Sequence, residues 1–304
     1  MEGKRLGAFR LAPWFSERVW GRRDLRPWYE STGTDELVGE AWLTGPECVV
    51  ETGAMAGRTF SSVEDDEFPL LVKILFPNDK LSVQVHPDDA QAQAMGQARG
   101  KTECWYVLEA EPGAAVALGL RDGVTAEGVR AAVADGTLEE LMVWVPVSVG
   151  EMIFVDAGTV HAIGPGVVLL ETQQTCDVTF RMYDYGRARE LHLEQGLRVM
   201  KTKTAAGKVR PIEMDGFVRL IEEKYFVVDR YDVTAGSGVI VPVDGAGCVV
   251  GLSGVATVES EGFAPVELVR GKAVVLPVGM GKVWVSSEVG VSFVRCFAPV
   301  GSVG

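Results

Sequence analysis

The sequence predicts an all-β protein made of two β-sandwich halves, with short helical inserts in the first half. Three observations lead there. Short apolar runs with period-two alternation recur through the 304 residues, and Gly and Pro punctuate them. Only two stretches read as helical, both before residue 142. Beyond residue 216, strand-like runs return about every ten residues with turn signals between them, the mark of an antiparallel sandwich or barrel.

In chain order, the first 60 residues hold short strand-like pieces, Arg18–Gly21 and Gly39–Leu43, in a region crowded by Trp14, Trp20, Trp28 and Trp42. The aromatic rings suit packing over a sheet end. Leu70–Phe76 is an apolar run interrupted by Lys73, and an unpaired ammonium in a buried strand is expensive. Leu81–His86 alternates strictly, so Leu81, Val83 and Val85 are expected on one face and Ser82, Gln84 and His86 on the other. Pro87 ends that strand.

Asp88–Gly100 is Ala- and Gln-rich with Asp at its start and Gly at its end, and predicts a short helix. A second helical insert is expected over 125–141, capped by Thr125 and closed by Gly136. Between them Lys101–Leu108 predicts a strand, with Lys101, Glu103 and Trp105 on one face and Cys104 and Tyr106 on the other. Strands are expected at 143–149, 151–155, 159–163, 167–173 and 177–185. On the last, Thr179, Arg181 and Tyr183 would share a face.

Around 199–211 the pattern lapses into MKTKTAAGKVRPI (200–212), which is basic and short of large apolar residues and reads as a linker. It divides the chain into an expected first domain, 1–205, and a second, 206–304. In the second, strands are expected at 217–221, 225–232, 238–242, 247–252, 255–259, 266–269, 273–276, 282–286 and 291–297.

A net charge of -13 makes nucleic acid and anionic membrane poor partners, so an anionic small ligand would need a local basic pocket. No window is long and apolar enough to span a bilayer, and the N-terminal stretch MEGKRLGAFRLAPWF lacks an apolar signal block. Five widely spaced cysteines without a C-x-x-C pattern read as reduced core thiols. The expected compartment is the cytoplasm, with the chain a monomer or a weak homo-oligomer.

Only three histidines are present: His86, His161 and His192. Gln84 and His86, two apart on a strand, project side by side as a pair of metal ligands would. His161 ends the segment Gly150–His161, in which a glycine, a buried strand and a tight turn at Asp156–Gly158 return the chain to the histidine. That segment resembles the second cupin motif, with Asp156 where proline is usual. The Gln84/His86 pair and Glu103 resemble the first motif, the Glu displaced by the insert at 88–100. The halves are therefore expected to be cupin-type jelly rolls.

A closer resemblance is to the type I mannose-6-phosphate isomerases. It is carried by LVKILFPNDKLSVQVHPDD (71–89), GKTECWYVLEAEPGA (100–114), AGTVHAIGPGVVLLETQQTCDVTFRMYDYGR (157–187) and the N-terminal VWG and GEAW. The resemblance implies one zinc ion held by Gln84, His86, Glu103 and His161, and a sugar site lined by Lys101, Glu171 and Arg181. It implies a sugar-phosphate substrate and an aldose–ketose isomerisation through an enediol or enediolate. Glu171 is the first candidate for the base, Lys101 for an acid or oxyanion partner, and Arg181 for stabilising the enediolate. A lysine base or a metal-activated water fits the same residues.

Lys73, Lys101 and Arg187, with Arg181 in reserve, are the expected phosphate contacts, while Arg187 and Arg189 read equally as a solvated rim or a phosphate clamp. Asp88 and Asp89 read as helix-start charges, His192 as a surface or loop residue, and Cys104 and Cys176 as packing. The half without histidine should brace the first and carry no chemistry. Two rivals stand beside this reading. A two-His-one-carboxylate set also serves non-haem Fe(II) oxygenases, and a cupin can bind a sugar without turning it over.

Overall fold

In the computed structural model, which describes residues 6–63 and 68–299, the period-two runs pair into antiparallel sheets of seven, five and eleven strands. The ends of the two expected domain spans, 1–5 and 300–304, lie outside the described residues. The seven-stranded sheet runs in the order Gly207–Val209, Met152–Val155, Glu103–Ala110, Val167–Gln174, Leu70–Leu75, Val38–Trp42 and Trp14–Arg22. The five-stranded sheet runs Phe180–Tyr183, Val83–Val85, His161–Ile163, Ala115–Leu120 and Met142–Pro146. Trp105, Val107, Ile153, Leu169, Val116 and Ile163 fill the space between these two sheets, so they form one barrel.

Of the two helical inserts, the second covers the outer face of the five-stranded sheet. The second, Ala126–Asp135, is capped by Thr125, whose hydroxyl accepts from Gly128 N–H, and stopped by Gly136 at φ 74°. Its Val129 and Ala132 pack on Val83, Val85 and Met182. The first is shorter than the stretch expected: the helix spans Asp89–Ala94, and Gly96 at φ 80° turns the chain out of it. Asp88 and Gln91 form a reciprocal cap at 3.0 Å each way.

The second half forms another barrel around Tyr231, Val241, Val249, Leu268, Val285 and Phe293. The expected strands 247–252 and 255–259 are one, Gly247–Glu259, which slips register between Gly251 and Ser253 and bends at Gly254. That bulge lets one strand pair with Val291–Phe297 at one end and with Val266–Val269 at the other. A shared core joins the barrels back to back: Val72, Ile74, Cys104 and Leu170 meet Leu220, Phe226, Cys248 and Cys296. All five cysteines are buried thiols outside any disulfide.

Strands cross over near both ends of the first half. Phe9–Ala12 pairs with Ala273–Leu276, inside the sheet of the second barrel, and Val49–Val50 pairs beside it. Conversely, Gly207–Val209, in the stretch expected as linker, pairs with Met152–Val155 of the first barrel. A helix, Leu193–Val199, precedes it and packs on the five-stranded sheet, where no helix was expected. No helix among the described residues is long and apolar enough to cross a membrane.

Candidate metal centre and active site

Three neighbouring strands of the five-stranded sheet bring Arg181, Gln84 and His161 into one row. His161 is the direct cross-strand partner of Gln84, and Arg181 is its partner on the other side. The opposite sheet supplies a second row, Trp42, Lys73, Glu171 and Trp105, with Glu103 one step along opposite Gln173. The barrel therefore aims two polar rows at each other through an apolar lining.

His86, Glu103 and His161 converge at the bottom, each at most 1% exposed, and one donor atom from each lies within 4.8 Å of the others. His161 Nε2 is 3.3 Å from Glu103 Oε1, and His86 Nε2 is 3.6 Å from Glu103 Oε2. Ligands about 2.0 Å from a shared tetrahedral ion would sit roughly 3.3 Å apart, so the spacing suits one.

The tautomers sharpen the point. His86 Nδ1–H donates to the Val178 carbonyl and His161 Nδ1–H to the Thr159 carbonyl, both at 2.9 Å. A neutral imidazole with its proton on Nδ1 leaves a lone pair on Nε2. Both lone pairs face a carboxylate that has no proton to offer when ionised. His86 Nε2 and both Glu103 oxygens are buried without a hydrogen-bond partner among the described residues. Acceptors facing acceptors in a dry site repel unless a cation lies between them. The donor set fits a divalent metal.

Burial pushes both imidazoles down, His86 well below its ordinary range and His161 to about 4, so they stay neutral ligands at neutral pH. Burial pushes Glu103 up, against the pull of Lys101 and Lys73. Gln84 reaches the cluster with Nε2 3.3 Å from His161 Nε2. A half-turn of the amide would present Oε1, the atom a metal takes, at the same point.

The turn before His161 has a local cause. Gly158 adopts φ 92°, a region L side chains avoid, and its N–H donates to the His86 carbonyl at 2.9 Å. Asp156, where proline is usual, accepts from the Thr159 hydroxyl at 2.9 Å and from Ala205 N–H at 3.0 Å. It closes the turn with side-chain hydrogen bonds.

Above the cluster lies a cavity of about 470 Å³, lined by Gln84, Lys101, Glu171 and Arg181 and also by Lys73. Lys101 Nζ is 3.4 Å from Glu103 Oε2. Burial opposes its charge, but Glu103, Glu171, Asp177 and Glu40 outweigh burial and hold it above the ordinary lysine range. Lys73, 2% exposed, reaches Asp177 at 3.1 Å and Glu171 at 3.5 Å, and lies 4.5 Å from the Trp42 ring centre. The buried lysine is thus paired three ways. Burial, then the charge of Glu103, pushes Glu171 up.

Sequence reasoning missed Asp177, Glu40 and Arg18 in this cavity, and left Arg189 open between solvated rim and phosphate clamp. Asp177 sits in the loop before Phe180–Tyr183 and meets both lysines. Glu40 accepts both Nε and Nη2 of Arg18 at 3.0 Å, and the Trp42 indole N–H at 2.7 Å. Arg18 and Arg189 line the mouth beside Arg181. Arg189 is itself held by Asp184, with two bonds of 2.7 Å. A signal existed for Glu40 alone: a glutamate inside a strand buried at every position is as anomalous as Lys73.

Some expectations need correction. Arg187 does not line the cavity; it donates to the Lys80 carbonyl and lies over the Tyr185 ring. Tyr183 leaves the face of Thr179 and Arg181, because the register slips between Arg181 and Tyr183, and its hydroxyl donates to the Gly136 carbonyl. Leu81 lies with the barrel lining rather than with Val83 and Val85, since the ladder begins only at Val83. His192 lies in the loop before Leu193–Val199, as expected; its backbone N–H donates to the Arg181 carbonyl at 2.6 Å, and the nearby Glu190 carbonyl accepts from Arg181 Nη1 at 2.8 Å.

Comparison with known proteins agrees with this geometry. Residues 46–120 match the family model "Phosphomannose isomerase type I, catalytic domain". The chain is 35% identical over 242 residues to a mannose-6-phosphate isomerase of Streptococcus mutans, covering 72% of this chain and 76% of that protein. The crystal structure of the mannose 6-phosphate isomerase of Bacillus subtilis superposes with a TM-score of 0.82 at 26% identity, covering 96% of this chain and 99% of that one. A mannose 6-phosphate isomerase solved with zinc and yttrium shares the fold, with a TM-score of 0.74 at 15% identity over 97% of this chain and all of the other. The chain belongs to the type I phosphomannose isomerase family.

Proposed function

We propose that the protein interconverts mannose 6-phosphate and fructose 6-phosphate, using one zinc ion held by His86, Glu103, His161 and Gln84. The observation that carries this reading is the pair of Nε2 lone pairs facing Glu103 in a buried site, at the bottom of a cavity lined by acids, lysines and arginines. When bound, zinc supplies Lewis-acid stabilisation of negative charge developing on the sugar oxygens. The neutral amide of Gln84 leaves that charge less compensated than a second carboxylate would.

The chain's own groups do the rest. Glu171 is the base that moves the proton between C2 and C1, and its raised pKa brings it nearer the working pH, where a general base is most effective. Lys73, 3.5 Å away, keeps it ionised and oriented. Lys101 stays charged and donates to the developing oxyanion. Trp20, Leu75, Leu81 and Ile163 line the same cavity and exclude water from the reacting carbons. Arg181 Nε is buried without a hydrogen-bond partner among the described residues and, with Arg18 and Arg189, offers the phosphate a basic mouth against the overall charge of -13.

We read residues 1–205 as the catalytic barrel and 206–304 as the supporting one, with the strand exchange described above. The cytoplasm and a monomeric or weakly associated state complete the reading. The test is incubation of the purified protein with mannose 6-phosphate, following fructose 6-phosphate before chelation, after it, and after zinc is restored. Full activity in the chelated protein would end the metal-dependent reading.

A further inference from the structure

One carboxylate outside the metal cluster ties together three of the segments that carry the site. Asp89 follows His86 by three residues. Its Oδ1 accepts from Gly100 N–H and from Gln174 Nε2, each at 2.9 Å. Its Oδ2 accepts from the Tyr225 hydroxyl at 2.6 Å, with Lys224 Nζ 3.6 Å away.

Gln174 closes the circuit: its Oε1 accepts from Thr102 N–H at 3.0 Å, and its own N–H donates to the Thr102 carbonyl at 3.2 Å. Lys101 N–H donates to the Pro87 carbonyl at 3.0 Å. The crossing is tight. A Cβ on Gly100 would lie 2.5 Å from the Asp88 carbonyl carbon.

The tied segments are those of His86, of Lys101 and Glu103, and of Glu171. The third hydrogen-bond donor to Asp89, Tyr225, belongs to the second barrel, which has no histidine. Asp89 offers a fixed acceptor: burial alone would raise its pKa, but the bonds from Tyr225, Gly100 and Gln174 hold it below the usual carboxylate range.

We infer that Asp89 is a positioning residue for the metal centre, and that Tyr225 lets the second barrel set how firmly the centre is held. The inference rests on reading His86, Glu103 and His161 as metal ligands. It assigns the second barrel a part in metal affinity, because a shift of Asp89 moves His86 and Glu103 relative to each other. Partners behind metal ligands typically govern affinity by 10- to 100-fold.

The test measures the zinc dissociation constant of the full chain by competition with a chromophoric chelator, then kcat and KM with zinc saturating. Asp89→Ala should raise the dissociation constant about 10- to 100-fold, and lower kcat more than it raises KM. Tyr225→Phe should act in the same direction by several-fold. Asp89→Asn keeps an acceptor for Gly100 and Gln174 and should recover most of the affinity. Unchanged zinc affinity in both Asp89→Ala and Tyr225→Phe, whatever happens to Tm, overturns the inference. If Asp89→Ala does not fold, Tyr225→Phe, which removes one hydroxyl, decides alone. The competition needs no turnover. A wild-type protein that binds zinc but does not isomerise mannose 6-phosphate would end the isomerase reading and leave the Asp89 comparison standing.

Discussion

Lys73 and Glu171 face each other across two antiparallel strands of the barrel, with Nζ 3.5 Å from Oε2 and neither side chain more than 6% exposed. A buried carboxylate so placed owes its ionised form to the ammonium beside it. Replacing that ammonium with a methionine disfavours the anion further, so the carboxyl loses its proton only at higher pH. For Lys73→Met the acid limb of the kcat profile should move to higher pH, and kcat at pH 7 should fall about 100-fold. A limb that stays in place would separate Lys73 from the base.

Glu171→Gln keeps the shape and removes the base. With zinc content unchanged, kcat should fall about 10²- to 10⁴-fold. Turnover near that of the wild type would hand the proton transfer to another group.

Acid should act on the histidines later than their ordinary range suggests. An imidazole takes its proton near 6.5 in the unfolded chain, but His161 in the folded, metal-free protein does so only at about 4. Between those values unfolding takes up a proton, so stability falls as pH drops through the window. The loss from His161 amounts to about 3 kcal/mol at pH 4, and His86 adds to it in the same direction. Urea unfolding of the chelated protein at pH 7, 5.5 and 4.5 checks this. Zinc content should therefore hold at pH 6, where an ordinary histidine would begin to release it, and drop by pH 4. Half-loss of zinc at or above pH 6 would contradict the effect of burial.

The arginine mouth should be read in KM. A hydrogen bond to a charged group contributes about 1.5–3 kcal/mol, so Arg189→Met or Arg18→Met should raise KM for mannose 6-phosphate at least about 10-fold. Competitive inhibition by inorganic phosphate should weaken in proportion. If neither constant moves, the phosphate is held elsewhere.

Much of this was legible in the sequence because a strand writes its face into every second residue. Gln84 and His86, and then Lys101, Glu103 and Trp105, could be aligned on their strands from alternation alone, and the anomaly of Lys73 inside an apolar run marked the buried ion pair it forms. What alternation cannot supply is distance across the barrel. Asp177 lies in a loop with no period, and Arg18 reaches the cavity through Glu40 on a neighbouring strand. Arg187 was misjudged because the turn at Asp184–Gly186 redirects it toward Lys80, leaving Arg189 at the mouth. Tyr183 was lost to a bulge, which resets the period without any mark in composition.

The exchange of Phe9–Ala12 for Gly207–Val209 has a bearing on biosynthesis. A strand made at residues 9–12 has to wait for Ala273–Leu276, far later in the chain, before it finds its neighbour. The core shared by the two barrels, to which Phe9, Leu11, Ala273 and Val275 belong, therefore cannot close until Ala273–Leu276 has been made. Contacts so remote along the chain slow folding, and a gene cut between the barrels would leave each fragment with a missing strand and an open edge.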